Sequence, residues 1–201
     1  MTTKHAPVLL HVALHYAEDA LADLAPYCKR IEIAGSVRRR KPQCADAEVL
    51  LIPRQTFIDM FGAPAGDDDV TLYLREHTGY SVKAEWQYRL NSRGSRVFGT
   101  RNKLMLFHGF PVDVFTTAPE NWGMAKVIRT GPVELNVALM RRLLHVGWKG
   151  EAYGGIVDTV GVRYDCPTEE HVFELARWPY VEPEQRTPER VLELVKMPWR
   201  T

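Results

Sequence analysis

The chain has 201 residues, of which 45% are hydrophobic and 25% are charged, with 14 glycines and 13 prolines. This composition is typical of one or two folded domains and excludes a disordered, collagen-like or coiled-coil protein. The 26 basic and 25 acidic residues leave a formal net charge of +1. No overall field therefore draws the protein to nucleic acid or membrane, and any basic surface must be local.

The cysteines and the apolar segments indicate the compartment. Cys28, Cys44 and Cys166 are odd in number and widely spaced, which excludes a disulfide framework or a CxxC metal site and indicates a reducing compartment. The longest apolar stretch near the start, residues 6–14, is interrupted by His11, whereas a membrane-spanning helix needs about 20 apolar residues. We therefore expect a soluble, cytoplasmic protein without a membrane partner.

Hydrophobic periodicity predicts the first elements of the chain. Apolar residues at helical spacing between Ala6 and Ala25 predict an amphipathic helix that Pro26 ends. The patterns that follow predict, in chain order, strands over 30–34 and 46–52 joined by a basic turn, a short helix over 56–61, and a helix ending at His77 that the aspartates 67–69 cap.

The later segments predict a meander followed by helices. Short alternating runs predict antiparallel strands over 80–87, 96–98, 103–107 and 112–116. The remaining patterns predict helices over 120–128 and 132–146, a strand pair within 156–164, a helix capped by Thr168 and a last helix over 188–196. The fold class is therefore α+β, with a mixed or antiparallel sheet flanked by helices and a small, mostly helical C-terminal part.

Three carboxylates on predicted strands are the candidate catalytic residues. Asp46 and Glu48 are two residues apart, so their side chains share one face, and Asp113 lies in another strand of the same sheet. Unpaired carboxylates are costly to bring together unless divalent cations neutralise them, and oxygen ligands suit Mg²⁺ or Mn²⁺. Two solvated charges on an exposed sheet face are the structural alternative.

A basic turn precedes the carboxylates. Gly35 and Ser36 end the first predicted strand and run into the four basic residues 38–41. A glycine bend, a hydroxyl and an arginine fork are suited to hold phosphate oxygens. A phosphate-binding turn that leads into a carboxylate pair is the arrangement needed for a nucleoside triphosphate with its metals. An ordinary solvated turn is the alternative.

These motifs resemble a known family. Gly35-Ser36-Val37-Arg38-Arg39 followed by Asp46-Ala47-Glu48 is similar to the G-S-x-R-R…D-x-[DE] signature of the family-X DNA polymerases, the group of DNA polymerase beta within the nucleotidyltransferases. The segment 111–115 resembles the family's third-carboxylate strand. The segments 130–148 and 168–186 resemble its nucleotide-selecting subdomain and its C-terminal segment.

The resemblance implies a domain organisation. It divides the chain into an N-terminal helix over 1–27 that packs on a nucleotidyltransferase palm over 28–128, and a thumb-like, nucleotide-selecting subdomain over 129–201. About 35 residues precede Gly35, which is too few for the family's lyase module, because independent folded modules usually need more than about 40 residues. We therefore expect no lyase domain.

The resemblance also implies roles for individual residues. It makes Asp46, Glu48 and Asp113 the ligands of two Mg²⁺ or Mn²⁺ ions, and the triphosphate and nucleotide would contact a second set: Gly35, Ser36, Arg39, Thr130, Gly131 and Asn136. The implied reaction is attack of a primer 3′-hydroxyl on the α-phosphate of a dNTP, with release of pyrophosphate. Pro132 follows Gly131 where the family tends to have a cis peptide, so we expect this bond to be cis.

A local excess of basic residues is the candidate nucleic-acid surface. The meander carries six basic side chains that could follow a phosphate backbone: Lys83, Arg89, Arg93, Arg96, Arg101 and Lys103. An ordinary solvated hairpin is the structural alternative. The expected partners are DNA primer and template with dNTP, RNA being a second candidate substrate, and the chain is expected to be a monomer.

The function that these observations favour is a metal-dependent DNA polymerase that fills short gaps, as in repair. The same three carboxylates would serve template-independent transfer to RNA or DNA ends, to a protein or to a small molecule. A catalytically silent nucleic-acid-binding module is the alternative from another class. The small size is compatible with a phage-encoded enzyme.

Overall fold

The computed structural model describes residues 5–79, 85–151 and 155–198. The chain forms two compact units. The first unit contains residues 1–33 and 42–116, and the second contains residues 34–41 and 117–201. This division differs from the predicted boundary between 128 and 129, because the basic turn and the segment 117–128 group with the C-terminal part of the chain.

A mixed five-stranded sheet forms the centre of the first unit. Its strands stand in the order β2-β4-β7-β6-β5, with bounds β2 Cys28–Ala34, β4 Ala47–Pro53, β5 Trp86–Tyr88, β6 Asn102–Phe107 and β7 Phe110–Thr116. Strands β4 and β7 are parallel, whereas β6 is antiparallel to both β7 and β5. The predicted mixed sheet is thus confirmed, and residues 96–98 contribute only isolated bridges to it.

Helix α1, Leu10–Leu24, packs against this sheet through small residues. Ala13, Ala17 and Ala20 are fully buried, so the helix backbone approaches strands β4 and β7 closely. At the end of the helix, the Asp23 carboxylate accepts hydrogen bonds from the Tyr73 hydroxyl at 2.7 Å and the Trp86 indole at 2.6 Å. A short ladder between β1, Val8–Leu9, and β3, Gln43–Cys44, flanks the helix.

The segment after β4 forms a hairpin where a helix was predicted. The expected helix over 56–61 is wrong, because Ile58 pairs with Pro64 and Ala65 donates its backbone N–H to the Phe57 carbonyl at 2.9 Å. The following helix α3, Asp69–His77, is confirmed together with its cap. The Asp68 carboxylate accepts a hydrogen bond from the backbone N–H of Thr71 at 2.8 Å.

The second unit is mostly helical with a small sheet. Its elements are α2 Gly35–Arg38, α4 Trp122–Thr130, α5 Val133–His145, β8 Trp148–Glu151, β9 Gly155–Asp158, β10 Arg163–Tyr164, α6 Glu169–Leu175 and α7 Pro188–Lys196. Leu135, Leu139 and Leu143 form the buried row of α5. They share one core with residues of α4 and α6 that include Val127 and Phe173.

Several local predictions for the second unit are confirmed. Thr168 caps α6 by accepting the His171 backbone N–H at 3.3 Å. The Gly131–Pro132 peptide is cis. The predicted strand pair within 156–164 is present as β9 and β10, and β8 extends it to three strands.

Two features of the chain are the state of its cysteines and the length of its apolar helices. All three cysteines are buried and none forms a disulfide, and burial raises the pKa of the Cys28 and Cys166 thiols to about 12. In the part of the chain that the structure describes, no helix is long and apolar enough to cross a membrane.

Candidate active site

Two of the predicted catalytic carboxylates are neighbours in the sheet of the first unit. Glu48 of β4 stands directly opposite Asp113 of β7 in the parallel register. Directly opposed residues on neighbouring strands point to the same face, so the two side chains share one face of the sheet. Asp46 lies just before β4 and two residues before Glu48, outside the ladder itself.

A cation already contacts one of these carboxylates. The Arg89 guanidinium donates a hydrogen bond to Asp113 Oδ1 and forms an ion pair with it. Only 14% of the Asp113 side chain is exposed, so solvent screens the charge weakly. The electrostatic environment at Asp113 therefore favours bound positive charge. Arg89 was predicted to lie on a nucleic-acid surface, and in the structure it pairs with this carboxylate.

The carboxylates offer donors for a divalent cation. Their oxygen donors suit Mg²⁺ or Mn²⁺, and the guanidinium on Asp113 shows that the position accepts a cation. Among residues 5–79, 85–151 and 155–198, no group of three or more His, Cys, Asp or Glu side chains is arranged to hold a metal ion. The donor chemistry fits the expected ions, with Glu48 and Asp113 as the adjacent pair.

The predicted phosphate turn folds as one tight turn of helix within the second unit. Gly35 has a φ of +65°, a conformation that favours glycine because it lacks a Cβ. Backbone hydrogen bonds then close the turn, from Arg39 to the Gly35 carbonyl at 3.2 Å and from Lys41 to the Ser36 carbonyl at 3.1 Å. The Ser36 Oγ is buried and has no hydrogen-bond partner among the described residues, which fits a ligand oxygen such as that of a phosphate.

The two arginines of the turn contact the end of α4. Arg38 donates to the Thr130 hydroxyl at 2.6 Å, and Arg39 donates to the Thr130 backbone carbonyl. Gly131 follows with a φ of +67°, and a Cβ there would lie 3.1 Å from Arg39 Nη1. Thr130, Gly131 and Arg39, three residues of the predicted nucleotide-binding set, therefore lie close together within the second unit. A glycine at 131 is what permits the close approach of the guanidinium.

A buried ionic network lies behind this turn. Glu169 of α6 accepts hydrogen bonds from Arg38, from Arg186 Nη1 at 3.0 Å and from the Tyr180 hydroxyl at 3.3 Å. Burial raises the pKa of the Glu169 carboxyl, but the hydrogen bonds and charges of Arg38 and Arg186 outweigh burial and hold the pKa below its usual value. Burial and the Glu169 charge raise the pKa of Tyr180 to about 12.

Sequence reasoning did not identify this network as part of the site. Glu169 and Arg186 both lie in the C-terminal segment that carries the family resemblance, which was the available signal. Neither hydrophobic periodicity nor charge counting distinguishes a buried ion pair from two surface charges. Their roles follow only from burial, because the side chains are 6% and 0% exposed.

Asn136, the predicted base contact, lies on α5 in the same unit. Its Nδ2 donates to the Ile128 backbone carbonyl at 2.8 Å. Its Oδ1 is buried and has no hydrogen-bond partner among the described residues. The side chain is therefore oriented by the end of α4, and its acceptor remains available for a donor on a ligand.

The candidate nucleic-acid surface is only partly present. Arg93, Arg96 and Arg101 are exposed, and the Arg96 guanidinium lies over the Tyr88 ring at 4.0 Å from its centroid. These three side chains suit contact with a phosphate backbone. Lys83 lies outside the described residues.

Lys103 is a correction to the sequence prediction. Its side chain is fully buried in β6 and cannot contact a nucleic acid. Alternation along the strand places Lys103 on the same face as Met105 and Phe107, all of them buried, and a count of charges cannot detect which face a residue occupies. Burial lowers the pKa of Lys103, and its Nζ has no hydrogen-bond partner in the described part of the chain.

A family model matches part of the second unit. Residues 125–187 match the family model described as DNA polymerase beta thumb. The matched region begins within α4, includes α5 and α6, and ends just before α7. No curated protein sequence matches the chain.

The fold of the whole chain is similar to that of a solved polymerase. The polymerase beta of Leishmania infantum, solved as a ternary P/T complex, superposes with a TM-score of 0.60. The match covers 92% of this chain and 78% of that chain at 16% sequence identity. The resemblance to DNA polymerase beta that the motifs indicate is thus confirmed for the fold.

Proposed function

We propose that the protein is a divalent-metal-dependent nucleotidyltransferase that adds dNMP to a primer 3′-hydroxyl and releases pyrophosphate, as in the filling of short gaps. The observation that carries this proposal is the register of β4 against β7, which places Glu48 and Asp113 side by side. The polymerase beta-like fold supports it. Primer, template and dNTP are the proposed partners.

Separate groups of residues have separate proposed roles: metal binding, triphosphate binding and contact with the nucleotide base. Glu48 and Asp113, with Asp46, would hold Mg²⁺ or Mn²⁺, and such ions supply the charge that aligns and stabilises the attacking and leaving oxygens. Ser36 and Arg39 would bind the triphosphate, since Ser36 offers a hydroxyl that has no hydrogen-bond partner in the described part of the chain and Arg39 offers a guanidinium fork. Asn136 would contact the nucleotide base through its free Oδ1.

Ion pairs and hydrogen bonds fix the positions of Arg89, Arg38 and Arg39. Arg89 pairs with Asp113 through Oδ1, so it would compete with a metal ion for the negative charge of this carboxylate. Arg38 is held by Thr130 and Glu169, and Arg39 is oriented by its hydrogen bond to the Thr130 carbonyl. Such prior orientation reduces the entropy lost when the triphosphate binds.

A primer-extension assay tests the proposal. A labelled primer is supplied as a single strand, on a recessed template and at a one-nucleotide gap, with each dNTP and rNTP separately and with Mg²⁺ or Mn²⁺. Addition of only the complementary nucleotide establishes templated synthesis. Addition without regard to the template indicates terminal transfer instead, and no addition with either ion contradicts the proposal.

Variants connect the activity to the carboxylates. Asp113→Ala is expected to reduce the rate of addition by at least about a thousandfold, because several kcal/mol of transition-state stabilisation depend on the metal ligands. DNA binding is expected to persist. Glu193→Ala is the matched control, since this exposed carboxylate pairs with Arg190 on a helix surface. Full activity of the Asp113→Ala variant would refute the site assignment.

A further inference from the structure

A cavity in the second unit lies between helices α5 and α7. Its volume is about 530 Å³, which is within the range of small-molecule binding sites. Side chains of α5 and α7 form its walls, and Trp178, which follows α6, completes the lining. None of the residues assigned above to metal, triphosphate or base binding is among the described residues that line the cavity.

The walls of the cavity are mostly apolar. The α5 wall includes Val133 and Val137, and the α7 wall includes Val191 and Val195. Between Val133 and Arg141 the α5 wall rises by about 12 Å. Because C–C bonds are about 1.5 Å long, an extended hydrocarbon chain of about ten carbons has a similar length. The cavity therefore suits a single apolar chain of this size.

The charged residues of the lining are separated along α5. Arg141 and Arg142 lie towards one end of the wall, and Glu134 lies towards the other. Glu134 and Arg141 are about 10 Å apart along the helix axis, which is about one Debye length at 0.1 M salt. The glutamate therefore offsets the positive potential at the arginine end only in part, and that end favours an anion.

Arg142 places a positive charge in the interior of this unit. The residue is 3% exposed, and it donates from Nε to the Ala176 carbonyl at 3.0 Å and from Nη2 to the Pro198 carbonyl at 3.5 Å. Burial and, as a smaller contribution, the charge of Arg177 lower the pKa of the guanidinium. An anion in the cavity would stabilise this charge, because opposite charges attract strongly where water is excluded.

Trp178 supplies a hydrogen-bond donor to the same end of the cavity. The residue is 5% exposed and lines the cavity. Its Nε1 is buried and has no hydrogen-bond partner in the described part of the chain, although an indole N–H acts only as a donor and buried donors are usually paired. The Arg142 Cζ lies 5.9 Å from the centroid of the Trp178 ring. The two groups are therefore close enough for one carboxylate to contact both.

We propose that the cavity between α5 and α7 binds a small amphipathic carboxylate, with its apolar chain along the valine walls and its carboxylate at Arg141, Arg142 and the Trp178 N–H. The lining selects the chain by its apolar surface, and the arginine end selects the negative charge. The site is separate from nucleotide transfer, because none of its residues has a role in the proposed function. The two proposals therefore fail independently.

Binding of decanoate to the full-length protein tests this site. The titration is followed by NMR in protein labelled with 15N at the tryptophan indoles and with 13C at the valine methyls, and a Trp178→Phe variant identifies the Trp178 signal. Decanol and decyltrimethylammonium are the matched probes, because they keep the same alkyl chain and remove or invert its charge.

Three variants locate the binding. Ala138→Leu fills the cavity, because Ala138 belongs to its lining, and Arg141→Gln removes a charge from its exposed rim. Arg190→Gln is the matched control, because Arg190 pairs with Glu193 on α7 and is not among the described residues that line the cavity.

The expected result is selective binding of decanoate. Decanoate should bind at least about tenfold more tightly than decanol, because a charged acceptor forms the stronger hydrogen bonds, and decyltrimethylammonium should not bind. The Trp178 indole N–H signal should move downfield. Ala138→Leu should weaken binding at least about tenfold by filling the site, Arg141→Gln by about two- to fivefold, and Arg190→Gln should leave it unchanged.

Several outcomes would overturn the proposal. These are no binding of decanoate, equal binding of decanoate and decanol, an unmoved Trp178 signal, or full binding to Ala138→Leu. Binding only to a Trp199→Ala variant would assign the cavity to residues 199–201 of the chain instead. Binding that is lost as the protein concentration rises would assign it to a second copy of the chain.

Discussion

Replacing Glu169 by glutamine tests the ionic network behind the phosphate turn. Glu169 and Arg186 are 6% and 0% exposed and lie 3.0 Å apart, and Arg38 binds the same carboxylate. Removing one partner of a buried ion pair costs about 3 to 5 kcal/mol, because the remaining charge is left uncompensated. Glutamine keeps the shape and one acceptor, so we expect a loss near the lower end, about 3 kcal/mol.

The loss is measurable as a shift in the melting temperature. For a chain of this size, about 3 kcal/mol corresponds to a decrease of roughly 6 to 12 °C. The control is Glu193→Gln, which breaks an exposed pair with Arg190 on α7 and is expected to lose less than about 1 kcal/mol. Because Arg38 lies beside Arg39, the Glu169→Gln variant is also expected to bind nucleotide more weakly than the control does.

The pH dependence of the melting temperature provides a second measurement of the same ion pair. The folded-state pKa of Glu169 lies below its usual value, so its stabilisation is present above the unfolded pKa, about 4.3. That stabilisation is lost as the pH falls through the folded pKa. The difference in melting temperature between the natural chain and the Glu169→Gln variant should therefore shrink below about pH 4. A difference no larger than that of the Glu193→Gln control, or one unchanged in acid, would refute the reasoning.

Three further substitutions give expected outcomes. Lys103→Met should raise the free energy of unfolding by about 1 to 3 kcal/mol, because it removes a buried amine that has no hydrogen-bond partner among the residues the structure describes. Burial lowers the folded-state pKa of Lys103, so the unfolded chain binds more protons than the folded chain does. The stability of the natural protein should therefore rise with pH up to about 10.5. Urea unfolding at several pH values should show this rise for the natural protein and no such rise for the Lys103→Met variant. Arg89→Ala should leave Asp113 without its guanidinium, so Mg²⁺ should raise the melting temperature of the variant more than that of the natural chain, and equal shifts would contradict the assignment. Asp68→Ala should lose about 1 kcal/mol in thermal unfolding because the cap on the Thr71 N–H is removed.

Local sequence signals predicted much of the fold because they act over a few residues. The cap at Asp68, the cap at Thr168 and the helical rows of α1 and α5 depend on neighbours in the chain, and the structure confirms them. The hairpin over 57–65 was not predicted, and a short helix over 56–61 was expected in its place. Its turn depends instead on hydrogen bonds to the Asp59 side chain.

The sequence by itself determined which chemistry the protein offers: three carboxylates at strand spacing, a basic turn with a hydroxyl, and the motifs of the polymerase beta group. Only the tertiary structure determines which charged side chains form ion pairs with each other. The partners Arg89 and Asp113, or Arg38 and Glu169, are separated by 24 and 131 positions. Lys103 is buried whereas Arg96 is exposed, although both side chains are basic. Which face of a strand is buried depends on what packs against the strand and not on the charge of the residue.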